Sequence, residues 1–218
     1  MPLPPSSAER TEVHGRTITI RGFRRVDGLW DVEGHLEDIR NHDFRFPGGE
    51  RRGGAPIHSM RLRLTVDDTA LIVDVAAATD AAPFDEVCGA IAPDYAALIG
   101  LRVGPGFNQA AVRLFAGVRG CTHMSELLRT MGTGVLQTLV GADLAVSETQ
   151  KPFQLDGCHA LASDGPQVAS FYPRWYRKPG EGARKVPDDV PVRADVFRTP
   201  LSDLPKRPSS AQTNDQDR

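Results

Sequence analysis

The sequence predicts an α+β fold in which an antiparallel sheet of hairpin-connected strands from the N-terminal half is covered on one face by helices from the C-terminal half. Residues 16–80 largely alternate polar and apolar side chains with a period of two, whereas later apolar residues recur at three- and four-residue steps. Strands followed by helices, instead of alternating with them, are typical of α+β domains. At 218 residues, with 40% apolar and 25% charged residues, the chain can bury one core of ordinary size.

The strands are predicted as two hairpins. Residues 16–25 and 28–39 alternate in polarity and are joined by a Val-Asp-Gly turn at 26–28, in which Asp-Gly supplies the positive φ that a tight turn needs. After a Gly- and Arg-rich loop, residues 57–68 alternate again, and 70–80 follow an Asp-rich turn. We therefore expect each of these two strand pairs to form neighbouring antiparallel strands.

The helices are predicted in the second half. Short helices are indicated over 82–91, over 93–100, where proline begins and glycine ends the segment, and over 107–117. The longest helix is predicted over 121–144, because its apolar residues form one stripe. These helices supply the layer that covers the sheet.

Both ends of the chain are predicted to be tails. Residues 1–12 and 178–218 are rich in proline and polar residues, so we expect them to be disordered or extended, with a single domain over 13–177. A net charge of -2 and the lack of an apolar signal segment predict a cytoplasmic protein with no nucleic-acid or membrane partner. The three cysteines do not form a CxxC pair and are expected to be free thiols.

His58 is the first candidate for chemistry. It lies on the apolar side of its predicted strand, beside Met60 and Leu62, where a buried imidazole must find a hydrogen-bond partner. His58 is either a core histidine whose hydrogen bonds are satisfied or a site residue, and both interpretations stay open.

His123 is the second candidate, because it falls in the first turn of the longest predicted helix. The positive end of the helix dipole favours a neutral imidazole there, and it would also lower the pKa of Cys121. The alternative is a helix start in which Thr122 caps the helix and Cys121 fills space.

Cys158 and His159 repeat the Cys-His adjacency. Adjacent side chains diverge on a regular helix or strand, so we expect no metal site and no cofactor. A thiol or metal protein that uses Cys121, His123, Cys158 and His159 remains an alternative.

Several segments together resemble a bacterial family of domains of unknown function, DUF2889, over about residues 14–177. The resemblance is carried by "GFRRVDGLWDVEGHLED", "APIHSMRLRLTVDD", "VDVAAATDAAPFDEVC", "LIGLRVGPGF", "GCTHMSELL" and "CHALASDG". It implies no established set of catalytic residues. It does imply an association with aromatic catabolism, in which a γ-formaldehyde lyase acts on lignin-derived dimers.

We therefore expect a cofactor-independent enzyme that uses acid–base chemistry on a small aromatic molecule, with a carbon–carbon lyase as the reaction that the resemblance implies. The alternative is a non-catalytic binding or assembly protein, and a homodimer is compatible with both. The expected base is His58 or His123, with Arg61 or Arg24 stabilising negative charge. The expected substrate contacts are Trp30, Tyr95, Cys121 and His159. Catalysis requires that the two imidazoles share one cavity.

Overall fold

The computed structural model describes residues 3–140, 151–152 and 154–179. These residues fall into two compact units, the first containing 3–140 and the second containing 151–152 and 154–179. The predicted C-terminal tail lies outside the described residues beyond residue 179. No helix in this described part of the chain is long and apolar enough to cross a lipid bilayer.

The first unit contains the predicted antiparallel sheet. Its four long strands are β1 (His14–Arg24), β2 (Trp30–Arg40), β5 (Pro56–Val66) and β6 (Ile72–Ala81), in the order β1-β2-β5-β6. Both predicted hairpins are confirmed, since β1 pairs with β2 and β5 pairs with β6 in antiparallel register. Gly28 has a φ of 86°, the positive value expected for the Asp-Gly turn.

A second, smaller hairpin lies within the connection between β2 and β5. It consists of β3 (Phe44–Phe46) and β4 (Gly49–Arg51), where the sequence predicts a loop. Each strand is only three residues long, which is too short for alternation to show in the sequence. The rings of Phe44 and Phe46 stack at 5.5 Å between centroids and give the hairpin its own contact.

Helices follow the sheet in the order that the sequence predicts. The first unit contains α1 (Asp85–Gly89), a 3-10 helix (Ala92–Leu98), α2 (Phe107–Phe115) and α3 (Thr122–Leu139), and the second contains α4 (Pro166–Phe171). The helix α3 ends at Leu139, and residues 141–144 of the predicted helix lie outside the described residues. Its N-cap position is Cys121, with no side-chain capping bond, so the expectation that Thr122 caps the helix is wrong. Cys121 does pack against the core, as the same alternative expected.

The core lies between α3 and one face of the sheet. Fully buried side chains come from both layers: Val32, Leu36, Met60, Leu62 and Leu64 from the sheet, and Leu127, Leu128, Met131 and Val135 from α3. Gly34 on the inward face of β2 permits this packing, because a Cβ there would stand 2.6 Å from the sulfur of Met131.

The direction of α3 follows from two contacts with β1. Arg16 near the start of β1 is paired with Glu126, and Gly22 near its end faces Thr138. The helix therefore runs alongside β1 in the same direction. Its first turn lies over the end of the sheet at which β1 begins, β2 ends and β5 begins.

Candidate active site

The inward face of the sheet becomes polar at the end that lies beneath the first turn of α3. His14 and Arg16 of β1, Asp38 of β2 and His58 of β5 occupy positions in phase with the apolar residues that face α3. The strand register brings three of them together, since Asp38 is paired with Arg16 on one side and with His58 on the other. The sheet alone therefore places a carboxylate between a guanidinium and an imidazole.

The first turn of α3 completes the group. His123 and Glu126 are three residues apart and so lie on one side of the helix. The His123 ring stacks on the His58 ring with 3.6 Å between centroids and 26° between planes, and Glu126 pairs with Arg16. Asp38, His58 and His123, with Arg16 and its neighbours His14 and Glu126, are called the His–Asp cluster below.

Asp38 is the centre of the cluster, and its side chain is only 3% exposed. Its Oδ1 accepts hydrogen bonds from Arg16 Nε at 2.6 Å and from His14 Nε2 at 3.2 Å. Its Oδ2 accepts from Arg16 Nη2 at 2.7 Å and from His58 Nδ1 at 3.0 Å, and it lies 3.5 Å from His123 Nε2. Arg16 therefore orients the carboxylate through both of its oxygens.

The surroundings of Asp38 keep it ionised. Burial by itself would raise the pKa of this carboxyl, but the Arg16 hydrogen bonds and charge, with a smaller contribution from His58, together lower its pKa to about 2. A carboxylate at neutral pH can orient an imidazole and stabilise its protonated form.

The two stacked imidazoles are driven toward their neutral form. Burial lowers the pKa of His58 below its ordinary 6.5, although the Asp38 hydrogen bond opposes this change. Burial, followed by the neighbouring His58, lowers the pKa of His123. A neutral imidazole can accept a proton or donate a lone pair to a metal ion.

The cluster is sheltered but not closed. The His58 and His123 side chains are 18% and 21% exposed, so the imidazole edges can be reached while Asp38 cannot. Three potential ligand atoms, one each from Asp38, His58 and His123, lie within 4.8 Å of one another. The arrangement can therefore transfer protons or hold a cation.

Two other residues that the sequence analysis named, Cys121 and Tyr95, lie at or contact the start of α3. Cys121 Sγ is 3.9 Å from His123 Nδ1, at the border of the cluster. Tyr95 is completely buried and stacks on Phe115 at 4.3 Å between centroids. Its hydroxyl accepts from the Cys121 N–H at 3.3 Å and lies 3.4 Å from the Cys121 carbonyl, so Tyr95 holds the segment before α3 and has no accessible surface.

Two of the expected residues lie at the far end of the first hairpin. Arg24 is paired with Trp30 in the strand register, and its guanidinium lies over the Trp30 ring at 5.4 Å. Arg24 follows Arg16 by eight residues, which corresponds to about 26 Å along a strand. The structure does not bring this pair to the His–Asp cluster.

Arg61 lies outside the His–Asp cluster, and His159 belongs to the second unit. Arg61 points to the opposite face of the sheet from His58, where its Nε donates to Asp80 at 2.5 Å. His159, like its neighbour Cys158, is an exposed residue of the second unit. The alternative site that combines this pair with Cys121 and His123 stays a prediction.

Four cluster residues were missed by reasoning from the sequence: His14, Arg16, Asp38 and Glu126. The signal for Asp38 was available, because the alternation of Val32, Gly34 and Leu36 continues to position 38 and places an acid on the apolar face. A charged residue on a buried face requires a partner, and that requirement pointed to a site.

Comparisons with known proteins identify one match. A family described as a protein of unknown function, DUF2889, matches residues 14–137. This range contains every residue of the His–Asp cluster. No curated protein and no solved structure matches the chain. Because the match covers more than half of the sequence, the chain belongs to the DUF2889 family of proteins of unknown function.

Proposed function

We propose that this protein is a small-molecule enzyme that works by proton transfer at the His–Asp cluster and needs no redox cofactor. One observation supports the proposal most: two stacked, partly accessible imidazoles converge on a buried carboxylate that is held ionised by an arginine. Such a set provides a base, a group that orients the base, and positive charge within one partly buried cluster.

His58 is the better placed base. Ionised Asp38 can only accept, so the His58 proton belongs on Nδ1, which is 3.0 Å from Oδ2. The lone pair of the His58 ring is then on Nε2 and is available to take a proton from a substrate. Asp38 stabilises the imidazolium that results, as the carboxylate does in other carboxylate–histidine pairs.

Arg16 takes the anion-stabilising role that the sequence suggested for Arg61 or Arg24. Its side chain is 29% exposed, and within the described residues three of its five N–H groups serve Asp38 and Glu126. The remaining donors and the fixed charge of a guanidinium suit a developing oxygen anion.

The specific reaction that we propose is the release of formaldehyde from an aromatic substrate with a hydroxymethyl arm. The base removes the hydroxyl proton, the bond between the hydroxymethyl carbon and its neighbour breaks, and formaldehyde leaves. The electron pair of that bond goes to the neighbouring carbon, which takes the proton back from the imidazolium. No electron is gained or lost overall, so acid–base groups are sufficient.

The test is to incubate the purified full chain with a panel of phenolic dimers bearing a hydroxymethyl arm and to measure formaldehyde. His58→Gln and His123→Gln should each lower the rate by about 10²–10⁴-fold while the melting temperature stays close to that of the parent. His35→Gln is the matched control, because His35 lies on the opposite face of the sheet and bonds Ser59 at 2.9 Å. No formaldehyde from any dimer, or full activity in His58→Gln, would refute the proposal.

The second candidate function is that of a non-catalytic binding or assembly protein. It is favoured by the number of internal partners of Asp38, which ties β1, β2, β5 and α3 together through one carboxylate. In that case His58→Gln should lower the melting temperature clearly, because it removes a partner from a buried group.

The homodimer, the cytoplasmic location and the expected lack of nucleic-acid and membrane partners remain proposals. Sedimentation of the purified chain measures the oligomeric state directly, and a monomer at every concentration would exclude the homodimer.

A further inference from the structure

We propose that the His–Asp cluster binds one divalent transition-metal ion, zinc by ligand type, through Asp38 Oδ2, His58 Nδ1 and His123 Nε2. The inference uses the same residues as the proposed function but does not depend on the proposed reaction. It departs from the expectation of a metal-free protein that the sequence supports.

One oxygen of Asp38 has more neighbouring nitrogen atoms than it has lone pairs for hydrogen bonds. Asp38 Oδ2 already accepts from Arg16 Nη2 at 2.7 Å, and a carboxylate oxygen offers two lone-pair sites. Two imidazole nitrogens lie near the remaining site, His58 Nδ1 at 3.0 Å and His123 Nε2 at 3.5 Å. One lone pair cannot serve two donors well, whereas a cation binds all three atoms once the stacked imidazole rings turn so that both nitrogen lone pairs point at it.

The spacing of the three atoms suits one zinc ion. Ligand atoms bound to one zinc ion at 2.0–2.2 Å lie about 3.3–3.6 Å apart in tetrahedral geometry. The two distances from Asp38 Oδ2, 3.0 and 3.5 Å, are close to this range, and one ligand atom from each of the three residues lies within 4.8 Å of the other two. Two imidazoles and one carboxylate are also a ligand set that zinc and other first-row divalent ions accept.

The charge of the cluster also favours a cation. With neutral imidazoles, Asp38 and Glu126 contribute two negative charges and Arg16 contributes one positive charge, so the cluster is left with an excess negative charge. Arg16 also holds the Asp38 carboxylate in a fixed orientation, as groups around a metal site do for their ligands. A cation would compensate the remaining charge.

The open side of the cluster leaves room for a further ligand of the ion. Three protein ligands with partly exposed imidazoles leave at least one coordination position for water or a substrate oxygen, as in catalytic zinc sites. His123 binding through Nε2 requires the ring proton on Nδ1, which faces Cys121 Sγ at 3.9 Å. With an ion present, metal-bound hydroxide would replace His58 as the base.

The experiment uses the full chain without a histidine tag, freed of metal by a chelator. Zn²⁺ is titrated by calorimetry, and Co²⁺ is added separately because its visible absorption reports the coordination. We expect one equivalent of Zn²⁺ and a cobalt band. In His123→Gln, the affinity for Zn²⁺ should fall by at least about 100-fold, and the cobalt band should change or vanish. Loss of a residue that only supports a metal ligand typically costs roughly 10–100-fold, and loss of a ligand itself should cost at least as much. The control His35→Gln should bind as the parent does.

Two further measurements distinguish loss of metal binding from loss of folding. His58→Gln is analysed in parallel, and circular dichroism of each metal-free variant shows whether it is folded. Added Zn²⁺ should raise the melting temperature of the parent and of His35→Gln, because an ion that binds only the folded chain stabilises it. The same addition should leave folded His123→Gln or His58→Gln nearly unchanged.

The results separate this inference from the proposed function. Lack of saturable Zn²⁺ binding by the parent, or equal binding by His123→Gln and His35→Gln, overturns the metal site, and formaldehyde release by the metal-free chain would then still support the proposed reaction. Stoichiometric binding that depends on His58 and His123 supports the site even when no dimer releases formaldehyde.

Discussion

Replacing Asp38 by asparagine tests whether this carboxylate holds the cluster together. The change keeps the shape of the side chain but removes its charge, and it turns one of its two acceptor atoms into an N–H donor. Each oxygen of Asp38 accepts from Arg16 and from a histidine, so the new donor necessarily faces another donor. Asp38→Asn should therefore lose both an ion pair and a buried hydrogen bond.

The magnitude follows from the pKa of Asp38. A folded-state pKa of about 2, against an ordinary 3.8, corresponds to about 2 kcal/mol of stability at neutral pH. A buried donor without an acceptor lowers the free energy of unfolding by about 1–3 kcal/mol more. The lower half of this range applies here, because Arg16 is 29% exposed and keeps Glu126 as a partner. The free energy of unfolding should fall by about 3 kcal/mol.

The assay is urea unfolding followed by circular dichroism at several pH values. Because the folded pKa of Asp38 is lowered, its stabilising effect is complete above the unfolded value near 3.8 and is lost as the pH falls through about 2. The difference between the parent and Asp38→Asn should thus be constant at neutral pH and shrink by about 2 kcal/mol under acid conditions.

The control is Asp74→Asn, an exposed acid on β6, for which a change within about 0.5 kcal/mol is expected. If Asp38→Asn were as stable as the parent at pH 7, or if the difference did not vary with pH, the carboxylate would not be the electrostatic centre that we describe.

Three further predictions concern the packing that places the cluster and the position of Arg61 outside it. Gly22→Ala should lower the free energy of unfolding in urea by about 1–3 kcal/mol, because the added Cβ would lie 2.1 Å from Thr138 Oγ1. Unchanged stability would mean that α3 does not approach β1 so closely. Leu127→Ala, at a fully buried position in α3, should cost about 2–5 kcal/mol in the same assay, and a cost below 1 kcal/mol would contradict its place in the core. Arg61→Gln breaks only an exposed pair with Asp80, so the melting temperature and formaldehyde release should both stay near the parental values, and a large loss of activity would return Arg61 to the site.

The sequence by itself determined the four long strands, the long helix α3 and the side of the sheet on which the strand residues lie, but not the short β3–β4 hairpin. Alternation predicted both hairpins and placed His58 among the core-facing residues, and the apolar stripe predicted α3 with His123 in its first turn. These features depend on neighbours within a few residues, which is why they can be read from one chain.

Only the tertiary structure decided which polar residues meet. Alternation states on which face Arg16, Arg24 and Asp38 lie, but not which of them lies beneath the start of α3. That choice depends on strand register and on the close approach of α3 at Gly22 and Gly34, which join residues about 100 positions apart in the chain. Arg16 is therefore at the cluster and Arg24 is at the far end of the same strand, because packing between distant segments selects the position along a strand and local pattern does not.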